Sequence, residues 1–302
     1  MIHQIKTIGQ FYKLRNLPPP EHPLISVVDI ATAPVYSQIE SGNVVFGFYV
    51  ISFKSGHTAR EKYGLQPEGF DGGVLGFRAP GQVVKVEPNK AVSSVASGWM
   101  LCIHPDFLLQ TSLAGKIRSY DFFYYDFNEA LFLSDEEQTI INTIVANIAN
   151  EFQKARDGFS QKIAIALIEA LLTYIERFYQ RQFKTNKVAS HKLLDKLDDL
   201  LNRYFDSHKP SKEGLPTVAV LAEELNVSPH YLSAMLRSIT GKNTQQHIHE
   251  KLIVKAKELL SATDMSVSEI AYALGFEHLQ SFSKLFKTKT DQSPLEFRQS
   301  FG

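Results

Sequence analysis

Residues 266–298 read SVSEIAYALGFEHLQSFSKLFKTKTDQSPLEFR, and they leave little freedom in local structure. Ser266 and Glu269 form an S-x-x-E capping box, which satisfies free backbone donors at a helix start just as an apolar stripe begins at Ile270. Gly275 can take the positive φ that a sharp interhelical turn needs, and Phe276 is placed to plug the gap between the two helices. In the helix predicted next, Phe282, Leu285 and Phe286 recur at i, i+3 and i+4 as a buried face. Gln280, Ser281, Ser283, Lys284 and Lys287 are left pointing outward, a polar and cationic face. Ser293-Pro294 starts a further helix, with serine as cap and proline at the first helical position, where its missing N–H costs nothing. The stretch is predicted to be a helix-turn-helix followed by a locking helix.

The pattern occurs twice. Leu221-Ala222 and Asn226-Val227 overlay Ile270-Ala271 and Gly275-Phe276 at an offset of 49, while Leu232, Met235, Leu236 and Arg237 overlay Phe282, Leu285, Phe286 and Lys287 at an offset of 50. The second copy therefore has one extra residue in its turn. Asn226 replaces the glycine, and asparagine is among the few residues that visit the left-handed region. Between the copies, residues 245–261 place Ile248, Leu252, Ala256, Leu259 and Leu260 on one helical face, as a rigid spacer would. Two such units on a common helix can present two outer helices to successive major grooves of DNA, about 34 Å apart.

On these residues the segment 190–302 resembles the DNA-binding domain of the AraC-type (arabinose-regulator) family. The matching elements are Ala256-x-x-Leu259-Leu260, Ile270-Ala271, Gly275-Phe276, Phe282-Ser283-Lys284-x-Phe286-Lys287, Ser293-Pro294 and Phe297-Arg298. Asp291 stands where the family usually has glycine, Lys251 where it usually has arginine, and Ser281 where a tyrosine is common; none removes a core position. The resemblance implies an effector-responsive, sequence-specific transcription factor, an activator acting as a homodimer on a double-stranded operator in the cytoplasm. RNA polymerase and an unidentified small-molecule effector are its further implied partners. Carried over residue by residue, base contacts fall on His230, Ser233 and Ala234 in the first unit and on Leu279, Gln280, Ser281 and Lys284 in the second. Arg237 and Lys287, one position beyond, are expected to hold phosphates. No catalytic residue, cofactor or metal is implied.

The rest of the chain reads as a separate lobe. With 302 residues and 44% hydrophobic content, two ordinary cores can be buried. The start lacks the long apolar run of a signal peptide, no stretch approaches a membrane span, and the single cysteine, Cys102, excludes an internal disulfide. Charge says little about nucleic acid: the net charge is zero, and residues 225–302 carry nine Lys/Arg against seven Asp/Glu.

Short apolar or alternating runs at residues 24–30, 44–53, 74–77, 83–86, 98–103 and 122–127, separated by turns such as Ser41-Gly42-Asn43, Pro80-Gly81 and Pro88-Asn89, predict a small antiparallel barrel or sandwich over residues 1–133. The family resemblance implies a cupin-like jelly roll there. His57, His104, His3 and His22 make no H-x-H pair, and Gln82 follows the Pro80-Gly81 turn where a ligand histidine would sit, which argues against a catalytic metal. The alternative function, a cupin-lobed enzyme tethered to DNA-binding helices, lacks its ligand set, and no nucleophile-elbow, P-loop or dinucleotide motif is present.

The charges Lys54, His57, Arg60, Glu61 and Lys62 read as a solvated loop, with an anion-binding barrel mouth as the alternative. The aromatic run Phe122-Phe123-Tyr124-Tyr125-Asp126-Phe127 reads as core packing. Residues 134–183 turn helical: Ser134 and Glu137 make another capping box before Ile140, Ile141, Ile144, Val145, Ile148 and Phe152. A second helix then carries Ile163, Leu167, Ile168, Leu171, Leu172, Ile175 and Phe178. This helical hairpin either packs wholly on the sheet lobe or also forms a homodimer seam. Residues 184–189 read as the linker, residues 191–207 as the first helix of the C-terminal domain, and residues 208–215 as a loop. The predicted class is α+β: a cupin-like lobe with a helical hairpin over residues 1–183, then an all-α domain with two helix-turn-helix units over residues 190–302.

Overall fold

The computed structural model describes residues 2–30, 42–55, 73–86, 97–126, 129–153, 157–185 and 187–300, and the chain divides into two compact units, Met1–Thr185 and Asn186–Gly302. His57, Arg60, Glu61, Lys62, Phe127 and the turns at Ser41 and Pro88-Asn89 lie outside the described residues.

Among the described residues the first unit holds two sheets. Strands β1 (Ile2–Ile5), β3 (Gly42–Phe46) and β6 (Val83–Val86) form one, with β1 parallel to β3. Strands β2 (Ile25–Asp29), β7 (Ser97–Ile103), β4 (Tyr49–Ser55), β5 (Gly73–Arg78) and β8 (Leu131–Leu133) form an antiparallel five-stranded sheet in that order. The described residues show an N-terminal sheet region in which neither strand ladder closes on itself. Helix α1 (Ile8–Leu14), started by a Thr7–Gln10 capping box, buries Ile8 and Phe11 against Ile5, Val28, Val44, Phe46, Phe48, Val50 and Cys102.

Two of the predicted runs fold differently. Residues 44–53 form two strands, because the chain leaves the first sheet at Gly47, whose N–H donates to Ile5 at 2.8 Å, and enters the second at Tyr49. The described part of the last run, residues 122–126, is not a strand: Asp121–Tyr124 is a 3-10 turn. A strand would send alternate aromatics to opposite faces, whereas here Phe122 and Phe123 are both buried, with ring centroids 4.9 and 6.1 Å from Phe77.

Helix α2 (Leu113–Lys116) is one turn long. The hairpin consists of α3 (Asp135–Gln153) and α4 (Ser160–Thr185). Ser134 Oγ accepts from the Glu137 N–H at 3.3 Å and Glu137 returns a carboxylate to the Ser134 N–H at 3.0 Å. Helix α4 also closes the open edge of the five-stranded sheet, a place where unpaired strand groups would otherwise invite another chain. Gln182 accepts from the Phe132 N–H at 2.9 Å and donates to the Ala130 carbonyl at 3.1 Å, and Arg181 donates to the Phe132 carbonyl at 2.8 Å. Ile168, Leu171, Leu172, Ile175 and Phe178 are buried as predicted, but Ile163 is 43% exposed and Phe159, one turn before it, 65%.

In the second unit α5 (Lys187–Asp206) buries Leu197, Leu201, Tyr204 and Phe205. Of residues 184–189, read as a linker, 184–185 end α4 and 187–189 begin α5. The loop at residues 208–215 contains a short helix, α6 (Lys209–Glu213). Among the described residues no helix is long and apolar enough to cross a membrane, and no group of three or more His, Cys, Asp or Glu is placed to hold a metal ion.

Candidate nucleic-acid interface

Six further helices build the candidate interface. The first unit pairs α7 (Val218–Glu224) with α8 (Pro229–Thr240), α9 (Thr244–Ala262) is the spacer, and the second unit pairs α10 (Val267–Ala273) with α11 (Leu279–Thr290) before α12 (Pro294–Gln299). Their starts are fixed locally. Thr217 caps α7, Ser228 caps α8, and capping boxes Asn243–Gln246, Ser266–Glu269 and Ser293–Glu296 open α9, α10 and α12.

The two turns match bond for bond. Val227 N–H reaches the Ala222 carbonyl at 3.0 Å, and Phe276 N–H reaches the Ala271 carbonyl at 3.0 Å. Asn226 and Gly275 both adopt the left-handed conformation, with φ 56° and 91°. The outer helices also end alike, at Gly241 with φ 76° and at Asp291 with φ 61°, so the aspartate occupies the left-handed position that glycine fills in the first unit. Behind α8 lie buried Leu232, Met235 and Leu236. Behind α11 an aromatic series runs Phe276, Phe282, Phe286, Phe297, with successive centroids 5.4, 5.8 and 5.5 Å apart. Leu285, predicted in that core, is only half-buried. Helix α12 is tied to the spacer, because Arg298 Nε donates to the Leu260 carbonyl at 3.2 Å and Lys257 Nζ stands 5.5 Å from the Phe297 ring centre.

The opposite faces of α8 and α11 carry the predicted site residues. On α11, Gln280, Ser281, Lys284 and Lys287 are exposed and Leu279 is 37% exposed. On α8, His230 and Arg237 are exposed, while Ser233 and Ala234 are half-buried. Ser233 Oγ lies 2.9 Å from Thr244 Oγ1 at the start of α9, so its hydroxyl is already engaged within the protein. The electrostatics of these helices differ from the neutral chain: PHYLSAMLRSIT has one arginine and LQSFSKLFKTKT three lysines, and neither contains a carboxylate. Helices that carry basic residues and no carboxylate of their own suit a polyanion, and this local asymmetry is invisible in the net charge.

One residue was not singled out in the sequence. His278 is the N-cap of α11 but makes no side-chain capping bond, and it is exposed beside Leu279. The readable signal was the lack of Ser, Thr, Asp or Asn at that position. On the spacer, burial holds the imidazoles of His247 and His249 below their ordinary value of 6.5, the latter aided by Lys289.

Comparison with known proteins agrees with this geometry. A family model described as a helix-turn-helix domain matches residues 221–300. The HTH-type transcriptional activator RhaS of Salmonella arizonae is 37% identical over 79 residues, 26% of this chain and 28% of that protein. The uncharacterized HTH-type transcriptional regulator YijO of Escherichia coli is 24% identical over 161 residues, 53% of each chain. This chain thus spans about half, or less, of the length of these relatives. Among solved structures, the C-terminal domain of the two-component response regulator yesN from Fusobacterium nucleatum is similar at 32% identity and a TM-score of 0.29, covering 33% of this chain and 96% of that one. From Leu221 on, the two matched units and their common spacer helix fall within the matched segment, and residues 221–300 of the chain carry a helix-turn-helix domain.

Proposed function

We propose that this protein is a sequence-specific, DNA-binding transcriptional regulator that docks α8 and α11 in successive major grooves. The observation that carries the reading is the repetition of one unit whose outward helix bears basic residues and no carboxylate. His230, Ser233, Ala234, Leu279, Gln280, Ser281 and Lys284 meet base edges in this arrangement, and Arg237 and Lys287 meet phosphates. Selection from random duplex DNA by the purified chain tests it. Recovered sequences should share two blocks about one helical turn apart, and a pool that stays random would refute the reading.

Activation, with RNA polymerase as partner, is proposed from the 37% identity of the matched segment to a transcriptional activator. A reconstituted transcription reaction on the selected duplex checks it: output should rise with added protein, and a fall would make the protein a repressor. The N-terminal unit is assigned the effector-sensing role, with a cupin-like fold, no catalysis and a cytoplasmic setting. We assign the exposed stripe of Phe159 and Ile163 to a homodimer seam, since adjacent exposed apolar side chains at helical spacing favour a partner. Sedimentation of the full chain should give a dimer that Ile163→Glu dissociates; a monomeric wild type would remove the seam.

A further inference from the structure

Positions 226 and 275 are equivalent in the repeat, share their hydrogen bonds and share the left-handed backbone, yet one is asparagine and the other glycine. Conformation alone does not explain the difference, because asparagine tolerates that region. What packs against each turn does. Asn226 is exposed, whereas a Cβ on Gly275 would stand 2.8 Å from the carbonyl carbon of Gly214 and 2.8 Å from the Pro210 oxygen. Only a residue without a side chain permits that backbone approach.

Gly214 is itself held in place. It ends α6 at φ 80°, its N–H donates to the Pro210 carbonyl at 2.9 Å, and its carbonyl accepts from the Tyr204 hydroxyl of α5 at 2.9 Å. Three residues later Thr217 caps α7. The segment that feeds the first helix-turn-helix is therefore pressed against the turn of the second. The second unit is already tied to the spacer α9 through α12, and the Gly214–Gly275 approach adds a contact that runs directly between the segments of the two units.

We propose that the Gly214–Gly275 contact, secured by Tyr204, is a brace that fixes α11 relative to α8, so that the two recognition helices read DNA as a rigid pair with strict half-site spacing. The proposal rests on the DNA-binding reading above. One added base pair moves a half-site by about a tenth of a helical turn, which a braced pair cannot follow.

The probe is the duplex that the full-length wild type selects from a random pool, with versions carrying one or two base pairs inserted between its halves. Wild type should lose roughly tenfold or more in affinity on insertion, the scale of a mismatched site. Tyr204→Phe keeps the ring but releases Gly214, and Gly275→Asn keeps the left-handed turn but drives a Cβ into Gly214. Both should bind the intact duplex several-fold more weakly, with the insertion penalty reduced to about threefold or less. Asn226→Gly, in the unbraced turn, should leave affinity and penalty unchanged. Wild-type penalties in both Tyr204→Phe and Gly275→Asn overturn the brace, and so does a wild type indifferent to spacing; if Gly275→Asn does not fold, Tyr204→Phe alone decides. A wild type that selects no duplex overturns the DNA reading itself, and the brace with it.

Discussion

Gln280 and Lys284 are the two long, exposed polar side chains of α11 best matched to base edges: glutamine can pair bidentately with adenine, and lysine can donate to guanine O6 or N7. The matching face of α8 offers less. Ser233 already bonds to Thr244 at 2.9 Å, and Ala234 can only touch a thymine methyl. Gln280→Ala and Lys284→Ala should therefore each remove about 1–3 kcal/mol of discrimination at positions within one half of the site. Affinity measured across a panel of single-base variants checks this, and a larger loss from His230→Ala with Ser233→Gly would reverse the division of labour. Arg237→Ala and Lys287→Ala act differently. Each should weaken binding to all sequences alike and lower the slope of log affinity against log salt by about one, and an unchanged slope would take both residues off the phosphates.

At the scale of elements, the second unit is held by local rules that also set its response to acid. The Glu269 and Glu296 carboxylates accept from the backbone N–H of Ser266 and Ser293 at 2.7 Å, with each serine hydroxyl beside them, which holds both carboxyls below their ordinary value of 4.5. They bind protons less readily folded than unfolded, so the stability they confer is complete above about pH 4.5 and is lost as pH falls below it. Glu269→Gln with Glu296→Gln should flatten the decline in Tm below that pH; a decline as steep as wild type would show that the boxes contribute nothing. These caps, the turn glycine and the i, i+3, i+4 stripes are short-range signals, which is why α7 to α12 were legible in the sequence.

The N-terminal unit was less so. Phe122 and Phe123 read as a strand, and only the wall formed by Phe77 and Tyr179 turns them into a 3-10 segment. Strand β1 pairs with residues some 40 positions away, and nothing local to Ile2–Ile5 announces that partner. In the candidate site, the outward positions of α11 at Gln280, Ser281, Lys284 and Lys287 were readable from periodicity, whereas Ser283, read as outward, is half-buried and the positions on α8 came from the family resemblance. The Ser233–Thr244 bond and the Gly214–Gly275 approach were not readable, because each joins elements that sequence spacing does not relate.

For the whole molecule, the two units have separate cores, and residues 186–302 contain every element assigned to DNA. Expressed alone, that segment should fold, show helical circular dichroism with a cooperative melt, and bind the selected duplex at low salt. Its affinity should fall below that of the full chain if the latter is a dimer, because one anchored half raises the effective concentration of the other. An unfolded segment would mean that its core depends on the rest of the chain. The central claim, two recognition helices in successive major grooves, is tested most directly by hydroxyl-radical and base-methylation footprinting of the full chain on its selected duplex. The account predicts two protected major-groove patches on one face of the duplex, about 10 base pairs apart, with Lys284→Ala weakening only one of them. A single patch, or protection without sequence preference, would contradict it.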